Sequence, residues 1–236
     1  MTDEPLFERT RILVGDDGVA ALRRARLFLA GLGGVGSYAA EALARAGVGA
    51  LTLVDHDCVA ASNLNRQLPA LHSTLGRSKI EVVAARILDI NPSCRLTLID
   101  EFLAPDNVAA HLAGAYDAVL DAIDSLSSKT ALIETAYRTG LAVVSSMGAG
   151  GRLDPTRIRV SDLQATRVCP LARAVRTQLR RRGVGRGVID IPRLLKTLTR
   201  LKYSGTLALE YEKDEKDPLP GAAESIGFVR GVLACL

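Results

Sequence analysis

Five short apolar runs punctuate the first part of the chain: RLFLAG at 26–31, ALTLV at 50–54, RLTLI at 95–99, DAVL at 117–120 and LAVVS at 141–145. Each is too short for a buried helix, and each reads as a strand covered on both faces. Between them lie stretches with helical periodicity at 34–46, 77–90, 105–113 and 126–139. Strand and helix in strict turn leave few topologies. Parallel strands joined by right-handed helical crossovers are expected, which makes the fold α/β: a Rossmann-like, doubly wound, mostly parallel sheet.

Composition agrees with one substantial core. The chain has 236 residues, of which 48% are hydrophobic, so disorder is not expected over most of its length. No apolar run approaches the ~20 residues that span a bilayer. Met1 to Arg11 carries charges of both signs without an apolar centre, so no signal peptide is expected. Cys58, Cys94, Cys169 and Cys235 never form a C-x-x-C pair. No zinc site and no secreted disulfide framework are therefore expected, and the compartment is read as cytoplasmic.

The stretch "AGLGGVGSYAAEALARAGVGALTLVDHDCV" carries the first chemical signal. Gly31, Gly33 and Gly36 fit G-x-G-x-x-G after a strand and before a helix, the context in which glycine lets phosphate approach helix N-terminal amides. Asp55 closes the next strand, where an acid accepts a ribose hydroxyl. NAD enzymes and other nucleotide binders share this much. The tie breaks downstream, at Arg66, at Lys79 opening a helix and at Asp124 in "DAIDS". Two cations on one phosphate run suit a triphosphate, and Asp124 at the carboxyl end of a strand suits Mg²⁺. ATP with Mg²⁺ is expected, and an oxidoreductase is disfavoured.

The net charge of +4 is unevenly spread: residues 152–202 hold 14 basic side chains against three acids, including the run Arg180, Arg181 and Arg182. That segment reads equally as a surface for phosphate backbones or as a solvated helix face.

The motifs together resemble the ThiF-type adenylating domain of ubiquitin-like activating enzymes and their bacterial relatives. They are G-x-G-G-x-G-S at Gly31 to Ser37 (with Gly34 its third glycine), D-x-D at Asp55 and Asp57, S-N-L-N-R-Q at Ser62 to Gln67, Lys79, and D-x-x-D at Asp121 and Asp124. Within that superfamily the sequence is most similar to the tRNA threonylcarbamoyladenosine dehydratases over about residues 7 to 187. "FERTRILVG", "NLNRQLPALHSTLGRSKIEV", "DAIDSLSSKTALI" and "SSMGAGGRLDPTRIRVSDLQATRVCPLAR" carry that likeness. The resemblance implies ATP-dependent activation of a threonyl carboxylate on tRNA, followed by ring closure with net loss of water. It implies ATP-binding roles for Gly31, Gly33, Gly34, Gly36, Asp55, Asp57, Asn63, Arg66, Gln67 and Lys79. Asn63 would reach phosphate or Mg²⁺, and Asp124 would hold the metal. Arg9 would reach the γ-phosphate of a partner subunit's ATP, making a homodimer with composite sites. Cys169, in a basic stretch that favours thiolate, matches the region where some superfamily members form a covalent intermediate. The arginine-rich segment would then face tRNA. The alternative is an adenylating enzyme for a small carrier protein, or an ATP-binding remnant without turnover.

The C-terminus departs from that family. After a glycine-rich linker at 183–187, residues 188–236 resemble the end of a sugar-phosphate-isomerase-like TIM barrel, with a strand at 205–210 and a helix at 222–235. Two units are expected: an adenylating domain over 1–187 and an appended tail over 188–236. One helix–strand–helix unit cannot build a barrel. Its strand must therefore find a sheet edge, or fold back with its helix as a satellite.

Overall fold

A computed structural model describes residues 5–151, 153–154, 157–184 and 210–211. Its centre is a parallel sheet of β1 (Arg26–Ala30), β2 (Ala50–Val54), β3 (Arg95–Ile99), β4 (Ala118–Asp121) and β5 (Ala142–Ser145), in the order β3-β2-β1-β4-β5. All four pairings are parallel, as the strand–helix alternation predicts. The order reverses between β1 and β4. There the crossovers change face, and a crevice opens beyond the carboxyl ends of the strands.

The helices divide between the two faces, and so does the core. On one face α2 (Gly36–Ala46) and α3 (Lys79–Ile90) cover Leu29, Leu51 and Leu53 with Ala40, Ala44, Ile80 and Ile87. On the other, α4 (Val108–His111), α5 (Leu126–Thr139) and α6 (Pro170–Arg181) cover Phe28, Val119 and Val143 with Leu132, Ile133, Val175 and Leu179. Neighbouring residues of one strand, Phe28 and Leu29, serve opposite cores and are both fully buried. Burying each such side chain stabilises the fold by roughly 1.5–3 kcal/mol. The expected helix at 105–113 forms only as the short α4.

The first helix, α1 (Glu8–Arg24), was not among the expected elements. Gly15 bends it at φ 69 and ψ 179, which interrupts the period. Ile12 and Leu13 are each 72% exposed, so the first half shows no buried stripe to read. Phe7 anchors the start of this helix: it is fully buried, with the Arg23 guanidinium 5.3 Å from its ring centre.

The tail is described at Glu210 and Tyr211 alone. They form β7 and pair antiparallel with β6 (Ile158–Arg159) in a separate two-stranded ladder. Over these two residues the partner is therefore the segment ahead of α6, neither an edge of the five-stranded sheet nor the tail's own helix. Gly183, at φ 74, follows the end of α6. Residues 185–187 of the expected linker, 205–209 of the expected strand and the expected helix at 222–235 lie outside the described residues.

Candidate functional site

The crevice at the switch point holds a cavity of about 460 Å³. The turn after β1 forms one wall, and its glycines are needed on steric grounds. Gly31 has φ +87, and a Cβ there would lie 2.7 Å from the Ala122 carbonyl oxygen. A Cβ on Gly36 would lie 1.7 Å from the Gly31 carbonyl oxygen. The chain thus passes closely under β4's exit and starts α2 immediately, and of the first-turn amides Ser37 and Ala39 already donate to the Gly33 and Val35 carbonyls. Gly31, Gly33 and Gly34 line the cavity. Gly36 is buried and acts by permitting the turn.

Asp55 stands where β2 ends. Its carboxylate accepts the Leu32 N–H at 2.6 Å and the Asp57 N–H at 2.9 Å, so its position is fixed by the turn it faces. Lys79 opens α3 and is buried. Its ammonium lies 2.7 Å from the Asp57 carboxylate, and its N–H bonds the Asp57 carbonyl. Asn63 uses its side-chain oxygen to accept the Ala60 N–H, which shapes the turn that carries it. Arg66 is held by the Ser62 carbonyl and the Asn65 side chain. Gln67 is only 8% exposed, and its Oε1 has no hydrogen-bond partner among the described residues. A buried orphan acceptor on a cavity wall invites a donor from a ligand. Asp55, Asp57, Asn63, Arg66, Gln67, Lys79 and Asp124 all line the one cavity.

Two residues singled out by sequence stand apart from it. Arg9 is exposed on the first turn of α1 and does not line the cavity. Cys169 is 2% exposed and caps α6: its sulfur accepts the Ala172 N–H and donates to the Gly148 carbonyl. It therefore sits behind the wall to which Gly148 belongs. This placement makes the thiol a helix cap against the cavity wall, and the reaction proposed below needs no covalent role for it. Burial pushes the Cys94 thiol up, against the pull of Arg95.

Two groups could be asked whether they hold a cation. Asp55, His56 and Asp57 bring ligand atoms within 4.8 Å of one another. However, the Asp55 oxygens are engaged by amides and Asp57 is paired with Lys79. Asp124 is the better fit. It is exposed at the cavity after β4, and a single carboxylate beside phosphate oxygens is the donor set that suits Mg²⁺.

Sequence reasoning missed part of the wall. Phe102, after β3, stacks edge-on to His56 with ring centres 5.0 Å apart, and both line the cavity. Ser128 of α5 and the loop from Ser146 to Gly150 after β5 complete it. These residues come from strand ends far apart in sequence and carry no shared spacing.

The sequence profile of the ThiF family matches residues 7–236. The chain belongs to the ThiF family. The match extends past residue 187, through the segment expected to depart from the family. The chain is 47% identical over 174 residues to a tRNA threonylcarbamoyladenosine dehydratase of Escherichia coli K12, an alignment of 74% of this chain and 65% of the relative. It is 46% identical over 165 residues to the enzyme of the same name from Haemophilus influenzae, covering 70% and 63%. The chain thus spans slightly under two thirds of these relatives' length. A crystal structure of the E. coli enzyme in complex with ATP superposes with a TM-score of 0.78 at 38% identity, covering 97% of this chain and 91% of that one. The doubly wound fold of this ThiF chain is therefore that of a solved ATP complex.

The basic segment also looks different in three dimensions. Arg176 bonds Thr166, Arg180 bonds the Gln164 side chain and Arg182 bonds Glu134. Arg173 and Arg181 are exposed on α6. The apolar stripe Ala172, Val175 and Leu179 is fully buried beneath them. Arg152, Arg186, Arg193, Lys196, Arg200 and Lys202 lie outside the described residues. No described helix is long and apolar enough to cross a membrane.

Proposed function

We propose that this chain activates the threonyl carboxylate of threonylcarbamoyladenosine in tRNA with ATP, so that the modified base cyclises with net loss of water. The observation that carries this reading is the convergence of Asp55, Arg66, Gln67, Lys79 and Asp124 on one cavity beside the glycine turn. Its support is the likeness to dehydratases of that name and to an ATP complex of one of them.

The chemistry follows from the charges. A carboxylate cannot readily expel oxide. Attack of its oxygen on the α-phosphorus of ATP releases pyrophosphate and leaves an acyl-adenylate, whose leaving group is AMP. The neighbouring carbamoyl group then attacks the acyl carbon and closes the ring, and no enzyme nucleophile is needed because the attacking group is already on the substrate. Arg66 and the Lys79 ammonium would neutralise the phosphates, and fixed cations act most strongly where charge gathers in the transition state. Asp55 would orient the ribose and Gln67 would meet the nucleotide with its orphan oxygen. Asp124 would hold Mg²⁺, whose positive charge would help offset that of the phosphates.

Arg9 is assigned to the cavity of a second copy, which makes the working unit a homodimer. Exposed Arg173 and Arg181 would contact the tRNA backbone, and a tRNA substrate would put the protein in the cytoplasm. The test is mass spectrometry of tRNA nucleosides after incubation with the purified protein, ATP and Mg²⁺. Loss of water from threonylcarbamoyladenosine is expected. Unchanged nucleosides from a protein that binds ATP would refute the assignment.

A further inference from the structure

Lys129 is fully buried on α5, immediately behind the cavity wall formed by Ser128 and Ser146. Its ammonium donates to three acceptors: the Asp121 carboxylate at 2.8 Å, the Ser145 hydroxyl at 3.2 Å and the Ser146 carbonyl at 2.8 Å. All three of its protons are thereby used. The same Asp121 oxygen accepts the Ser145 hydroxyl proton at 2.6 Å, and its other oxygen accepts the Ile123 N–H at 3.1 Å. The Asp121 main-chain carbonyl accepts the Ser146 N–H at 2.8 Å. One closed network therefore ties the ends of β4 and β5 to α5 and sets how both loops leave the sheet.

Stability does not explain such a pair. Desolvating two charges costs about as much as their attraction returns, and apolar side chains of the same volume often serve as well or better. The position of the pair offers another reason. Across the sheet, Asp55 follows β2, the glycine turn follows β1, Asp124 follows β4 and Ser146 to Gly150 follow β5. A nucleotide with its ribose at Asp55 and its phosphates over the turn leaves the β5 side for the second reactant. We propose that Lys129 is a positioning residue: it holds the loop from Ser146 to Gly150 as the wall against which a carboxylate substrate meets the α-phosphate. This rests on the adenylating reading above. Lys129 itself touches neither reactant.

The discriminating variant is the double substitution Lys129→Met with Asp121→Asn, which removes both charges and nearly keeps volume. Lys129→Met alone leaves a buried unpaired carboxylate, and its unfolding would say nothing about the loop. Thermal unfolding and calorimetric titration with ATP-Mg²⁺ establish that the double variant folds and binds nucleotide. Amide hydrogen exchange at Ser146, whose N–H bonds the Asp121 carbonyl, is expected to quicken by about tenfold or more as local opening becomes easier. Turnover of threonylcarbamoyladenosine tRNA is expected to fall by about tenfold or more through kcat, since misplacement of a reactant by a fraction of an ångström is enough. Exchange and kcat both within about twofold of the parent would overturn the proposal, because then charge balance was all the pair supplied. If the parent does not dehydrate the tRNA, the substrate reading fails, and the exchange comparison still decides the role of Lys129. If the double variant does not fold, Ser145→Ala keeps both charges and carries the same comparison: faster exchange supports the proposal and unchanged exchange overturns it.

Discussion

We propose that Arg66 and Lys79 separate ATP from a dinucleotide at this site, and Arg66 can be tested alone. A charge-assisted contact to phosphate contributes on the order of 1.5–3 kcal/mol. Arg66→Ala is therefore expected to weaken ATP-Mg²⁺ binding by roughly tenfold or more in calorimetric titration. NAD binding tighter than ATP to the parent protein would remove the premise. Gly36→Ala tests the turn instead of the charge. Its new methyl would sit 1.7 Å from the Gly31 carbonyl oxygen, and backbone on both sides cannot yield as a flexible side chain would. The expected result is loss of nucleotide binding together with a clear fall in melting temperature. A variant that binds ATP as well as the parent would show that the turn is not packed as described.

At the scale of elements, two carboxylates join helices and make stability depend on pH. Glu41 of α2 bonds Arg86 of α3 as well as Arg45, and Glu134 of α5 bonds Arg182 beyond α6 as well as Arg138. Burial alone would raise both carboxyls. The paired arginines outweigh it and hold both below the usual glutamate range. A folded-state pKa below the unfolded one means stability that is fully present above about pH 4.3 and is lost as pH falls through the lower, folded value. The melting temperature is thus expected to hold near neutrality and to drop on acidification. Glu41→Gln should flatten part of that drop at a cost of roughly 0.5–1 kcal/mol near neutral pH, since Arg86 and Arg45 are partly solvated. An identical acid limb in Glu41→Gln and the parent would show that the α2–α3 tie does not titrate.

For the whole molecule, we propose that the exposed Arg9 enters a neighbour's cavity. Arg9→Ala and Asp124→Ala proteins, each inactive alone, are expected to recover partial dehydratase activity on mixing, because exchanged subunits leave some sites with both residues. Mixtures that stay inactive while light scattering shows subunit exchange would argue against composite sites. The boundary near residue 187 remains our proposal, set against a family match that runs to residue 236. Truncation after Gly187 removes β7 from its ladder with Ile158 and Arg159, while every residue assigned to the nucleotide lies before the cut. ATP-Mg²⁺ affinity is therefore expected to survive within a few-fold. Its disappearance would make 188–236 part of the nucleotide domain.

What the sequence determined by itself is what local spacing can encode. A strand period followed by a helix period sets β1, the glycine turn and α2. Asp55 at the end of β2 and Lys79 at the start of α3 are then placed by the crossover rule. Lys129 had a weaker trace: Leu132, Ile133 and Ala136 share its buried helix face at i+3, i+4 and i+7, so a lysine stood where the pattern wants an apolar residue. The kinked α1 left no such trace, because Gly15 interrupts its period and Ile12 and Leu13 face outward. Only the tertiary structure decided that His56 meets Phe102, that Cys169 caps a helix, that Ser146 hangs from Lys129, and that arginines 176, 180 and 182 bond within the protein. The reason is physical. These contacts join strand ends and helices distant along the chain, and the packing of the sheet and its two helical layers sets them, where no period or motif reaches.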